Sequence, residues 1–172
     1  MFFFSRRSYL FRILVTKKSK NKPLKKLPIL AIAIFFTASL QAQQPSSKEQ
    51  QEIQQAVVNL FESLSARDSV SLKLHCTPDI TLYEYGQAWN LDTLIRRTIT
   101  MNQSADFKRT NSFEFIKTET DKNMAWVTYR LSSVIFRDAK ESQVQWLETV
   151  VLAKQHKQWK VKHLHSTLLK RS

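Results

Sequence analysis

Apolar residues at Ile53, Ala56, Val57, Leu60, Phe61 and Leu64 recur at intervals of three and one, the stripe of an amphipathic helix. Ser46 with Glu49, or Ser47 with Gln50, offers a capping box at its start. Arg67-Asp68-Ser69 ends it, and Asp68 or Ser69 caps a short second helix through Leu72 and Leu74, which Thr77-Pro78-Asp79 breaks. Residues 80–85 alternate and are rich in β-formers, which predicts a strand. Gly86 follows, and Asn90 caps a third helix carrying Leu91, Leu94, Ile95 and Ile99. From residue 110 the period becomes two and predicts strands at about 111–119, 124–136, 143–155 and 158–168. The turns fall at Asp121-Lys122-Asn123, around Arg137 to Ser142, and at His156-Lys157. Helices segregated from a meander of strands define an α+β domain.

Ahead of this pattern lies a different chain. Residues 27–40 read LPILAIAIFFTASL, a run of fourteen that as a helix spans about 21 Å, too short for a hydrocarbon core of roughly 30 Å. A basic segment, a short apolar run and a small-residue end describe a secretory signal peptide, residues 1–42, cut after Ala42. An uncleaved anchor is one alternative. A twin-arginine leader at residues 5–11 is another, although the apolar run starts about fifteen residues later. The reading is of an exported protein, periplasmic or secreted, with a linker at 43–49, a domain at 50–172 and no stable membrane insertion after cleavage.

The charge of +13, from 27 Lys+Arg against 14 Asp+Glu, changes meaning with that leader in view. Nine basic residues and no acid fall in the first 26 positions, leaving 18 bases against 14 acids. The basic excess therefore sits outside the domain, which argues against a nucleic-acid partner. One glycine excludes a Gly-rich phosphate loop, and one cysteine, Cys76, excludes a disulfide framework or a multi-cysteine metal site. No cofactor is implied.

The element order, the stretch TLYEYGQAWN (81–90) and above all QWLETVVLAKQHKQWKVKHLHST (145–167) resemble the nuclear transport factor 2-like superfamily. The nearest branch is the SnoaL-like domains, similar also to the association domain of calcium/calmodulin-dependent kinase II. The resemblance covers about residues 50–168. It implies a cone-shaped half-barrel, a curved antiparallel sheet covered by three N-terminal helices, with a deep pocket between sheet and helices. It also implies dimerisation through the outer sheet face. Members include isomerases, cyclases, dehydratases and non-catalytic binders, so fold alone does not decide function.

The last hairpin places side chains. With a two-residue turn at His156-Lys157, Gln155 pairs with Gln158 and the register sets His165 opposite Glu148, His163 opposite Val150, Val161 opposite Leu152 and Thr167 opposite Trp146. All eight then share one face, and Lys160, Lys162, Leu164, Thr149 and Val151 share the other. A carboxylate beside an imidazole suits acid–base work near neutral pH. Glu148 and His165 are thus the first candidates for catalysis, the alternative being a structural hydrogen bond. His163 and His165 with Glu148 are a weaker metal option, and no metal site is assigned. Glu84 shares a face with Ile80 and Leu82 and is a second candidate base, the alternative being a strand-end glutamate facing water. Trp89, Trp146, His163, Leu82 and Val150 are the expected ligand contacts. Tyr85, Tyr129 and Arg130 are weaker candidates, since Tyr83 and Tyr85 fall on the face opposite Glu84. Cys76 reads as a buried structural thiol. The function expected is an exported small-molecule-binding domain acting as a homodimer. The alternative is an enzyme of isomerase or dehydratase type working on a small carbonyl compound with a Glu/His pair.

Overall fold

The computed structural model describes residues 47–172. The signal peptide at 1–42 and most of the linker lie outside the described residues. Helix α1 (Lys48–Ala66) starts with the Ser47/Gln50 capping box: the Gln50 N–H donates to Ser47 Oγ at 3.2 Å, and the Ser47 N–H donates to Gln50 Oε1 at 2.8 Å. Its predicted stripe is the buried one. Each such side chain contributes about 1.5–3 kcal/mol when fully buried. Arg67 ends the helix in the left-handed region (φ 55°). Its guanidinium donates to the carbonyls of Asn102 (2.8 Å) and Ser104 (3.0 Å), tying down the segment that leads into the long strands. Asp68 caps α2 (Ser69–His75) by accepting from the Val70 and Ser71 N–H groups. Leu72 is buried, whereas Leu74 faces solvent.

Strand β1 (Cys76–Glu84) begins four residues earlier than the alternation predicts. It turns at Tyr85-Gly86 into a three-residue strand, β2 (Gln87–Trp89), which the sequence reading lacks. Both turn residues have positive φ, 48° and 71°, as a tight hairpin of this twist requires. A Cβ on Gly86 would meet nothing within 4 Å. Gly86→Ala should therefore cost about 1 kcal/mol, through backbone conformation alone, measurable by urea unfolding. Asn90 caps α3 (Leu91–Ile95) as predicted, and the helix continues as a π-helical turn over Arg96–Thr100. The long strands follow: β3 (Lys108–Asp121), β4 (Met124–Arg137), β5 (Lys140–Gln155) and β6 (Gln158–Arg171).

The six strands form one sheet in the order β2-β1-β6-β5-β4-β3. The sheet is mixed rather than wholly antiparallel, because β1 runs parallel to β6. Its bulges, between Phe115 and Lys117 on β3 and at two places along the β5–β6 pair, bend and twist it. The α1 stripe packs with Ala125, Val127, Tyr129 and Leu131 of β4 and with Val150, Leu152 and Val161 from the last hairpin.

One bulge overturns the expected register. Pairing begins as predicted, Gln155 with Gln158 and Leu152 with Val161. Lys162 is then an extra residue, so Val151 pairs with His163, Val150 with Leu164, Thr149 with His165 and Glu148 with Ser166. A one-residue slip sends every later side chain to the other face. His163 and His165 consequently lie on the outer face, Leu164 and Ser166 turn inward and are buried, and Trp146 faces Leu168 rather than Thr167. Lys162 itself reaches Asp79 at 2.6 Å.

Candidate functional site

Between the helices and the concave side of the sheet lies a cavity of about 130 Å³. Helix α1 supplies Leu60, Phe61 and Leu64, and the third helix supplies Leu94 and Thr98. The sheet supplies the polar groups, because an inward position on each strand coincides there with an acid or a base. Alternation from Ile80 and Leu82 brings Glu84 inward, and alternation from Val144 and Trp146 brings Glu148 inward. Arg109 enters from the start of β3, in step with Asn111 and Phe113. Tyr85 leaves the strand alternation in its left-handed turn conformation and also lines the cavity, while Tyr83 stays on the outer face beside His163 and His165.

Glu148 is 4% exposed. Its Oε1 accepts from Ser166 Oγ at 2.9 Å, and its Oε2 has no hydrogen-bond partner among the described residues. Burial pushes its pKa up from 4.5 to about 7. The hydroxyls of Tyr129 and Ser166 and the charge of Arg109 work against the rise, and the neighbouring Glu84 adds to it. Tyr129 Oη, wholly buried, acts on this carboxyl from close by without completing a hydrogen bond to it. Glu84 is half-buried, and burial raises its pKa as well, with Ser166, Arg109 and His165 opposing. The Arg109 guanidinium lies over Phe61 (5.5 Å) and Trp146 (5.6 Å). Its Nε donates to Asn111 Oδ1 at 2.9 Å and its Nη2 to Ser133 Oγ at 3.1 Å. Burial lowers its pKa, and Glu148 and Glu84 hold it up. Among the described residues none of these three charges has an ion-pair partner within 4.0 Å.

The cavity thus gathers Glu84, Glu148, Leu82, Trp89 and Trp146 from the residues predicted to form the site. Val150 is buried in the core and does not line the cavity. His163 and His165 are the corrections: the Lys162 bulge removes both from Glu148, so the Glu/His pair and the two-imidazole metal option do not assemble. His163 Nδ1 instead shares a hydrogen bond with Thr81 Oγ1 at 2.8 Å. Among the described residues no three His, Cys, Asp or Glu side chains converge to hold a metal ion. Arg130 pairs with Glu114 at 3.0 Å on the outer face, away from the cavity. The Cys76 thiol is buried, which pushes its pKa up to about 12 and keeps it protonated. Arg109 and Ser166 are the functional groups that sequence reasoning missed. The signal for Arg109 was an extension of the β3 alternation by one step, from Asn111 back to Arg109.

No protein-family model and no curated protein matches the chain. Solved structures do. A nuclear transport factor 2-like superfamily protein from Salmonella enterica serovar Typhimurium is 17% identical, covering 70% of this chain and 91% of its own, with a TM-score of 0.61. A ketosteroid isomerase-like protein from Erwinia carotovora atroseptica is 14% identical, covering 73% and 99%, with a TM-score of 0.60. The hub of S. rosetta calcium/calmodulin-dependent kinase II is 18% identical, covering 73% and 99%, with a TM-score of 0.58. The fold is therefore the nuclear transport factor 2-like α+β cone. That fold carries isomerase-type proteins and association domains alike, and the site alone can discriminate between them.

Proposed function

We propose that residues 47–172 form a small-molecule-binding domain whose ligand enters the cavity and meets a protonatable carboxyl, Glu148. The observation that carries this reading is the state of that side chain: buried, with one oxygen unpartnered, in a largely apolar hollow. A few convergent polar groups in an apolar cavity are what a small ligand needs for orientation. Amide chemical-shift mapping against a library of small uncharged and charged molecules tests it. Shifts should gather at Leu82, Glu84, Trp89, Trp146 and Glu148 and spare Thr128 and Thr149 on the outer face. A library that perturbs nothing in the cavity contradicts the proposal.

A second reading is an enzyme of isomerase or dehydratase type. It is favoured by one fact, the rise of Glu148 to about 7, where a general acid or base is most effective at neutral pH. In this reading Glu148 moves the proton unaided by His165, and Arg109 stabilises negative charge that develops on a substrate oxygen. Glu148→Gln would then retain binding and lose turnover.

The working form in this proposal is an exported homodimer joined through the outer sheet face. Trp126 (38% exposed), Leu147 (37%) and Tyr83 (50%) on that face support it, since they leave apolar surface open on the side away from the helices. Light scattering should report twice the chain mass. Trp126→Glu combined with Leu147→Glu should give a folded monomer, and a dimer that survives both changes would place the interface elsewhere. Export predicts a mature N-terminus at Gln43.

A further inference from the structure

We propose that a ligand enters the cavity between the β1–β2 hairpin and the end of β6, with Tyr85 as the gate and Arg171 as the positioning residue that holds it closed. This deepens, and rests on, the reading of the cavity as a ligand site.

The seam between β1 and β6 stops short of the hairpin tip. Its last pair is Tyr83 with His165, and from Ser166 to Arg171 strand β6 pairs with β5 alone. Strand β1 goes on through Glu84 into the Tyr85-Gly86 turn, and β2, at the edge of the sheet, pairs only with β1. The hairpin tip therefore lacks ladder bonds on the side that faces β6. Glu84, Tyr85 and Trp89 line the cavity from the hairpin, and Trp146 and Glu148 line it from β5. Tyr85 is 52% exposed, whereas the other lining residues are buried or half-buried. A side chain that both lines a cavity and meets solvent marks its mouth.

Arg171 reaches this mouth because β6 carries a second extra residue. Pairing passes from Trp146–Leu168 to Gln145–Lys170 with Leu169 between them, so Arg171 falls opposite Val144. Val144 is buried on the inner face, and unbroken alternation from Leu168 would have put Lys170 there and Arg171 outside. Arg171 Nη2 donates to Tyr85 Oη at 2.8 Å, and the guanidinium lies 5.9 Å from the centre of the ring. The strand end that carries Arg171 is anchored. The Gln143 N–H donates to a Ser172 backbone oxygen at 2.9 Å, and the Ser172 N–H donates to the Gln143 carbonyl at 3.0 Å. The latch thus has a fixed base, and the hairpin tip is the part free to move. One hydrogen bond in contact with water shifts such an equilibrium roughly two- to tenfold, enough to favour the closed mouth and little enough to let it open.

Acrylamide quenching of tryptophan fluorescence tests this without a ligand. Trp89 and Trp146 line the cavity, and Trp159 is buried outside it. One background keeps the cavity pair through Trp126→Phe and Trp159→Phe; a second keeps Trp159 through Trp89→Phe, Trp126→Phe and Trp146→Phe. Arg171→Met should raise the quenching constant of the cavity pair about threefold and leave that of Trp159 unchanged. Tyr85→Phe keeps the ring, loses the hydroxyl and should act alike, and the two changes together should do no more than either alone. Arg171→Lys keeps a charged donor and should restore part of the protection. Cavity quenching that ignores Arg171→Met overturns the proposal. A rise shared by Trp159 means general loosening and overturns it too, and additive effects of the two changes overturn the pairing of gate with latch. Where a background does not fold, indole N–H exchange by NMR on the chain with its own tryptophans decides. The Trp146 and Trp159 indoles are both buried without a hydrogen-bond partner among the described residues, so access alone governs their exchange. Arg171→Met should speed Trp146 and spare Trp159, and unchanged Trp146 exchange overturns the proposal. A compound library that perturbs the cavity while quenching stays unchanged removes this route alone; a silent library with a working gate removes the ligand reading.

Discussion

Glu148→Gln should make the domain more stable at pH 8, by up to about 3 kcal/mol, and leave it nearly unchanged at pH 4. The sign follows from the direction of the shift. The folded-state pKa, about 7, stands above the model value of 4.5. Below 4.5 both folded and unfolded chains hold the proton and Glu148 carries no penalty. As pH rises from there to about 7, the unfolded chain gives up its proton while the folded chain keeps it, so the wild type loses stability across that window and levels off above it. Glutamine has nearly the same shape, does not ionise, and still accepts from Ser166. The variant should therefore lack this descent, and at pH 8 its thermal midpoint should lie roughly 10 °C above that of the wild type. Thermal unfolding across pH 4–9 measures all of this, and a variant less stable than wild type at pH 8 would contradict it.

Leu164→Asn should cost at least about 3 kcal/mol, whereas His165→Asn should change stability by about 1 kcal/mol or less. Lys162 is an extra residue between the Leu152–Val161 and Val151–His163 pairs, and that bulge turns Leu164 and Ser166 inward, where they are 3% and 9% exposed. Asparagine at Leu164 loses the transfer free energy of a buried leucine and buries an amide without a partner. His165 lies on the outer face, where a polar side chain stays in water. Without the bulge the order would be reversed, because His165 would face inward and Leu164 outward. Deleting Lys162 should leave these pairs in place, since Val161 and His163 already pair with neighbouring residues of β5, and it loses only an ion pair with Asp79 in open solvent, which contributes little. Urea unfolding of the three variants measures this. A His165→Asn variant that loses as much stability as Leu164→Asn would contradict the bulged register.

The same bulge marks the boundary of what the chain's pattern reveals. Helix α1 was legible because six apolar residues hold one period and a capping box fixes its start. The long strands were legible because their inward positions alternate over eight residues or more, as in Val144 to Leu152. The β5–β6 turn was legible from its flanking pattern, and Glu148, Trp146, Glu84 and Leu82 followed from simple alternation. The bulge broke that rule. A hint existed: Val161 and Leu164 are separated by three, so an unbroken strand cannot bury both, yet both are buried. The parallel seam between β1 and β6 has no local signal, since it joins segments about eighty residues apart, such as Thr81 and His163. Strand β2 is too short for a period to be read, and Arg109 sat one step before the strand start that the pattern suggested.

The account turns on a single acid that keeps its proton far above the usual carboxylate range inside an apolar hollow. Carbon-13 NMR of the Glu148 side-chain carboxyl, assigned by comparison with Glu148→Gln, reads that proton directly. A titration midpoint near 7 is the predicted result. A midpoint near 4.5, the value of a solvated glutamate, would show that the carboxyl is hydrated and ionised at neutral pH, and the cavity would lose the group on which its proposed chemistry depends.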